Sequence, residues 1–549
     1  MNTEASCRNV FRMFQDVAER VGHGPLLTTA PFNRATSGAS NRATSGASNR
    51  ASSGASNRAT SEPSTTLSYA DAMTQSARLA RALTALGVRP GDRVAAQVDK
   101  SPQALLLYLA VLRQGAIHLP LNTAYTATEI AYFLSDAAPV LYVASCACMA
   151  ANEEALNRHP GIQRLTLEAD GSGSLMTLAS EQAERHRIEP RRGDDVALIL
   201  YTSGTTGSPK GAMLTHANLA SNARALTRLW EFGSSDVLIH ALPLFHAHGL
   251  VIATHCVLLS GSRMHLLPRF DADTVVHLLP EATVMMGVPT YYSRLLEHPD
   301  LSAAATSGMR LFVSGSAPLS EATARRFHAL TGHTILERYG MTEATIISSN
   351  PVVGERRLGS VGLPIEGVRL RITDDHDTPL ASGNVGHLQI KGPAVMKGYW
   401  RQPQKTRQEF TPDGWFRTGD NGRIDEDGYL TIVGRSKDVI ISGGYNVYPG
   451  EVEALLDAME EVSESAVIGL PHADFGEAVT AVVVAANDVT PDEDAIRRRL
   501  RDVLAAYKVP KRVLVADDLP RNTMGKVIKA ELRDNHRTLY LGRSAEGAS

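Results

Sequence analysis

The chain has 549 residues, 43% of them hydrophobic and 21% charged, with a formal net charge of −3. That length supports two to four domains with large cores, and the balance is ordinary for a soluble globular enzyme. The small net charge gives no signal of nucleic-acid or membrane-surface binding, and four cysteines (Cys7, Cys146, Cys148 and Cys256) are too few for a disulfide scaffold and suit a reducing, cytoplasmic location.

The opening "MNTEASCRNVFRMFQDVAERV" lacks an apolar signal-peptide core and is predicted to be an amphipathic helix of the mature fold. An octapeptide follows: "NRATSGAS" at 33–40 recurs at 41–48, then as "NRASSGAS" and "NRATSEPS" up to residue 64. It has no large apolar side chain to offset its ordering entropy, so 32–64 reads as a disordered insertion. Next, "TLSYADAMTQSARLARALTALGVRPGDRVAAQV" predicts a helix stopped near Gly87 and a strand from about Arg93. Helices then alternate with short apolar strands, including "PVLYVA", "DVALILYTSG", "DVLIHALPLF", "ATVMMGVP" and "MRLFVSGSAP". Such strands suit sheets covered by helices on both faces. Cys146 and Cys148 have no matching ligand pair, so they read as core residues rather than metal ligands.

"LYTSGTTGSPKGAMLTHANL" at 200–219 reads as strand, loop and helix. Thr202, Ser203, Gly204, Thr205, Thr206 and Gly207 offer hydroxyls and bare amides for phosphate oxygens, and Lys210 adds a point charge. It is not the G-x-x-x-x-G-K-[ST] loop, because Lys210 is followed by Gly211. At 285–299, "MMGVPTYYSRLLEHP" predicts a helix opening at Pro289. Tyr291, Leu295 and His298 share one face, with Tyr292 and Leu296 beside it. Arg294 falls in this largely apolar stretch, either solvated and paired with Glu297 or facing an anionic guest. After a glycine-rich stretch at 434–450, the remainder mixes two helices with strands, as a small α+β unit would.

Five blocks together resemble the acyl-adenylate-forming (AMP-binding) superfamily: the 200–219 loop, "ERYGMTEA" at 337–344, "GWFRTGD" at 414–420, "GRSKDVIISGGYNVYPGEVE" at 434–453 and "PRNTMGKV" at 520–527. The resemblance implies an α/β fold: a large N-terminal AMP-binding domain at 1–433, a hinge at 434–438 and a small mobile C-terminal α+β domain at 439–549. It implies ATP and coenzyme A as co-substrates and Mg²⁺ as cofactor. Glu343 would be the protein carboxylate on Mg²⁺, Thr342 would contact the α-phosphate and Thr202 would lie near metal and phosphates. Gly315, Ser316 and Ala317, with Glu337, Arg338 and Tyr339 and the adjoining Gly340 and Met341, would form the adenine slot. Asp420 would accept from the ribose hydroxyls beside Arg435. Lys526 would bridge the attacking carboxylate and the phosphate. Gly443, Gly444 and Tyr445 would meet the pantetheine of coenzyme A.

Within the superfamily, stretches such as "LIHALPLFHAHGLVIATH" and "MGVPTYYSRLL" resemble malonyl-CoA synthetases. That likeness implies that Arg294 binds the distal carboxylate of malonate, with His246 and His248 lining the acid pocket. If Arg294 is desolvated there, its removal is expected to cost about 3–5 kcal/mol in malonate recognition. The alternatives are a ligase for methylmalonate or for a short- or medium-chain monocarboxylate, an adenylating module loading a carrier protein, and a non-catalytic nucleotide-binding protein. Ala344, Ile346 and Ile347 depart from the pattern beside the pocket. A lysine acyltransferase acting on Lys526 stays open as a partner.

Overall fold

The computed structural model describes residues 9–29, 64–202, 209–472, 474–486, 489–522 and 525–540. The octapeptide repeat up to residue 63 lies outside them, as does Cys7. The expected opening helix is present as Val10–Val21, capped by Asn9 and burying Val10, Phe11, Phe14, Val17 and Ala18. The next helix, Tyr69–Ala85, starts in a capping box of Ser68 and Asp71 and gives way to the strand Arg93–Gln97.

Two large sheets carry most of the chain. One has nine strands, with a parallel centre built from Val237–His240, Arg263–Leu266, Val284–Gly287, Leu311–Ser314 and Leu336–Met341. The other has seven, with Arg93–Gln97, Ile117–Pro120 and Leu141–Ala144 parallel at its centre. Their central strands are buried along their length, as their uninterrupted apolar runs require. A four-stranded antiparallel sheet, from Arg369–Thr373 to Leu430–Arg435, follows. A five-stranded sheet with the helices Pro449–Leu456, Glu493–Val503 and Lys529–His536 ends the described chain. Its apolar cluster, from Ile440 to Val513, is separate from the clusters of the large sheets.

Two expectations need correction. The glycine-rich loop does not run into a helix: Lys210–Thr215 is a strand, paired antiparallel with Val196–Thr202, and the helix begins only at His216. Asn218 closes that helix's capping box with Thr215, so its first turn is already satisfied. Nor are the paired cysteines both core residues: Cys146 is exposed, with its backbone amide bonded to the Glu168 carboxylate. Cys148 is half-buried against the apolar cluster of the seven-stranded sheet, and no residue of the helix Cys146–Ala151 is fully buried.

Candidate active site

The antiparallel pairing sets Thr202 directly opposite Lys210, at the two ends of the glycine-rich loop. Ser203, Gly204, Thr205, Thr206 and Gly207 lie outside the described residues. Lys210 Nζ is 3.7 Å from Glu409 and 5.2 Å from the Tyr399 ring centre. Tyr399 in turn donates to Glu343 Oε1 at 3.0 Å. Burial raises the Glu343 carboxyl's pKa, opposed by that hydroxyl and by the nearby charges of Arg435 and Lys210. A buried carboxylate short of cationic partners suits a bound metal ion. No group of three or more acidic, His or Cys side chains that could hold a metal is found among the described residues. Such a donor set fits Mg²⁺, which keeps waters and takes phosphate oxygens rather than a full protein cage.

Thr342 and Glu343 sit in the turn between the strands Leu336–Met341 and Thr345–Ser349. Gly340 is required there: a Cβ would stand 1.9 Å from the Thr345 carbonyl oxygen. Glu337 and Tyr339 point to one side of their strand. Burial pushes the Glu337 carboxyl up to about 7. The Tyr339 hydroxyl donates to Asp420 Oδ2. Asp420 and Arg435 face each other across antiparallel strands, with Arg435 Nε 2.7 Å from Asp420 Oδ1. The three thus form one polar group, joining Asp420 and Arg435, expected at the ribose, to Tyr339, expected at the adenine. The neighbouring turn carries strain at Ser316, a non-glycine residue with φ of 72°.

Arg338 departs from the expected slot. Strand alternation turns its side chain away from Glu337 and Tyr339, under Gly315, where a Cβ would come within 2.3 Å of its Cζ. It is 5% exposed and lies near His246 and His248. Burial, with the charge of Arg338, lowers the His246 pKa to about 4 and takes that of His248 well below the ordinary value, so both are neutral at pH 7. His248 opens a π-helical stretch, His248–Ala253, and its Nδ1 is 3.3 Å from Ser316 Oγ.

The helix Pro289–Leu296 forms as expected and buries Tyr292, Leu295 and Leu296. Tyr291 stacks on Phe270 with ring centres 4.1 Å apart. Arg294, however, is exposed, and Glu297 pairs with Arg326 instead. Neither a buried arginine nor an Arg294–Glu297 pair is found. One turn earlier, Thr290 touches the loop that bears Lys526: its Oγ1 lies 2.9 Å from where a Gly525 Cβ would be. Lys526 itself is exposed, and neighbouring protein with the charge of Arg435 lowers its pKa, opposed by Asp420 and Asp438. Arg521 braces the loop, bonding the Gly525 carbonyl at 2.8 Å and pairing with Glu464. Gly443 and Gly444 make the two-residue turn of a hairpin, both with positive φ, and leave Tyr445 exposed against Tyr507.

The AMP-binding enzyme family model matches residues 48–400, and the model of the AMP-binding enzyme C-terminal domain matches 451–526. The chain belongs to the AMP-binding enzymes. It is 34% identical to a malonate–CoA ligase of Arabidopsis thaliana, across 84% of this chain and 81% of that one. It is 37% identical to a feruloyl-CoA synthase of an Amycolatopsis species, across 85% and 94%. Among solved structures, ATP-bound MatB from Rhodopseudomonas palustris superposes with a TM-score of 0.88 at 46% identity, covering 96% of this chain and 99% of that one. This AMP-binding enzyme is therefore an AMP-forming acid–CoA ligase, with the large α/β N-terminal and small C-terminal parts typical of adenylate-forming enzymes. Sequence reasoning missed Tyr399 as a neighbour of the site. The hydroxyl of Tyr399 was detectable only by its partner, Glu343, 56 positions away.

Proposed function

We propose that the acid is malonate and that the enzyme makes malonyl-CoA, AMP and pyrophosphate from malonate, ATP and coenzyme A. The observation that carries this reading is the contact of Gly525 with Thr290. Arg294 follows Thr290 by one helical turn, so the contact supports a place for its guanidinium on the same side as the loop that bears Lys526. A dicarboxylate can then give one carboxylate to phosphorus and the other to a guanidinium, whose fork matches it.

In the first step a malonate oxygen attacks the α-phosphorus and pyrophosphate leaves. The barrier lies in joining two anions and in the charge of the pentavalent centre. Lys526 would bridge the attacking carboxylate and the phosphate. Glu343 would hold Mg²⁺, with Thr202 nearby, and the ion would screen the triphosphate. Asp420 and Arg435 would fix the ribose, and Thr342 the α-phosphate. In the second step the thiol of coenzyme A attacks the acyl carbon, loses its proton and expels AMP. The exposed Gly443–Gly444 hairpin is the surface assigned to the pantetheine arm. For it to reach the acyl group, the C-terminal part must turn about 434–438, taking Lys526 away.

Identity alone does not choose the acid, since the chain is 37% identical to the feruloyl-CoA synthase and 34% to the malonate–CoA ligase. The charge of Arg294 and Arg338 favours a dicarboxylate in this reading, since a neutral aromatic tail has no use for a guanidinium. The test is the purified protein with MgATP and coenzyme A against malonate, methylmalonate, succinate, acetate, propionate, octanoate and ferulate. Malonate-dependent pyrophosphate and thioester, with monocarboxylates near background, is the expected result. Preference for a monocarboxylate would overturn the malonate reading and leave the ligase class standing.

A further inference from the structure

Arg338 raises a separate question. Its Nε and Nη2 are buried with no hydrogen-bond partner among the described residues, and no carboxylate there pairs with it. Ordinarily a guanidinium taken out of water finds acceptors for its donors, because leaving them unmet is costly. The nearest imidazole is unmet too: His248 Nε2, electrostatically close to Arg338, is buried without a partner among the described residues, in a side chain 0% exposed. Tyr292, electrostatically close to Arg338, has already spent its hydroxyl on the Val313 carbonyl at 2.7 Å. Everything left unmet at this spot can donate a hydrogen bond. His248 presents Nε2–H when its Nδ1 accepts from Ser316 Oγ. A cluster of donors around one cation, with both flanking histidines neutral, matches one monovalent oxyanion.

We infer that Arg338, with His248, forms the closed end of the acid pocket and takes the substrate's second carboxylate, while Arg294 stands at the open rim. The inference rests on the malonate reading and deepens it, making Arg338 the residue that selects dicarboxylates. A monocarboxylate would occupy the pocket and leave the guanidinium sealed and unpaired behind it. Sites built to bond a polar group reject analogues lacking that group far more strongly than apolar pockets reject a missing methylene.

The test compares wild type with Arg338→Met, which keeps length and loses charge, and Arg338→Lys, which keeps charge and loses the fork. Pyrophosphate release is measured with malonate and with propionate, alongside the KM for ATP. The malonate-to-propionate ratio of kcat/KM is expected to fall on the order of 100-fold in Arg338→Met and about tenfold in Arg338→Lys, with the KM for ATP moving less than about twofold. A ratio unmoved in both variants, or a raised KM for ATP with the ratio intact, overturns the inference and returns Arg338 to a structural or nucleotide role. Should Arg338→Met not fold, the lysine variant alone decides by the same ratio. Wild type that prefers malonate while the variants keep that preference sinks only this inference. Wild type that prefers propionate sinks the malonate reading and this inference with it.

Discussion

At the scale of single residues, exposure decides how much a charge is worth. Arg294 is solvent-exposed, so the cost of removing it is that of hydrogen bonds to a charged group at an accessible site, not of a stranded buried ion. The expected loss is about 1.5–3 kcal/mol, roughly 10- to 150-fold in kcat/KM for malonate, smaller than burial would give. Steady-state kinetics of Arg294→Ala measures it, and an unchanged malonate KM would remove Arg294 from the site. Lys526 has a different signature. Lys526→Ala is expected to slow adenylation on the order of 10²–10³-fold while sparing thioester formation from supplied malonyl-AMP. Equal loss in both half-reactions would contradict its assigned role. The resemblance pointed to both residues, but not to which is covered. Burial of Arg338 beneath Gly315 likewise depends on partners 20 to 90 positions away, beyond any local pattern.

Single elements show where sequence patterns suffice. The helix Pro289–Leu296 was legible because proline marks its start and its apolar residues keep a helical spacing. The buried strands were legible as short apolar runs. Lys210–Thr215 was not: six residues with one charge and two small side chains fit a strand or a helix start equally, and pairing with Val196–Thr202 settles it. The Gly443–Gly444 turn was read only as part of a glycine-rich stretch, although two adjacent glycines between β-formers are a signal of a tight hairpin. Gly444→Val puts a branched side chain at φ of 81°, a strain of about 1–2 kcal/mol or more. It is expected to depress thioester formation and leave pyrophosphate release without coenzyme A within about twofold. Comparing the two half-reactions in one preparation checks this.

For the whole molecule, stability should carry a mark of the C-terminal sheet. Burial pushes the Asp457 carboxyl up to about 7 despite its bond from Ser465, and Glu453 and Glu464 add to the rise. The folded state therefore binds this proton more tightly than the unfolded chain does. The associated stability is fully present below about pH 4 and is lost as pH rises to about 7. Asp457→Asn is expected to flatten that fall, read as Tm from pH 4 to pH 8, whereas an unaltered profile would show that Asp457 does not report the transition. The general architecture was legible from motif order, since the blocks span the chain in the family's sequence. How its parts touch was not, because no local spacing encodes the seat of one loop on a distant helix. That seat, Gly525 against Thr290, also has a kinetic meaning. Under the proposed function, a loop resting on the doorstep of the acid pocket would set a timetable: the acid would arrive before the loop lands, and coenzyme A would get its turn only after it lifts. The enzyme should therefore behave as a turnstile, with acid bound early shielded from exchange until adenylate has formed.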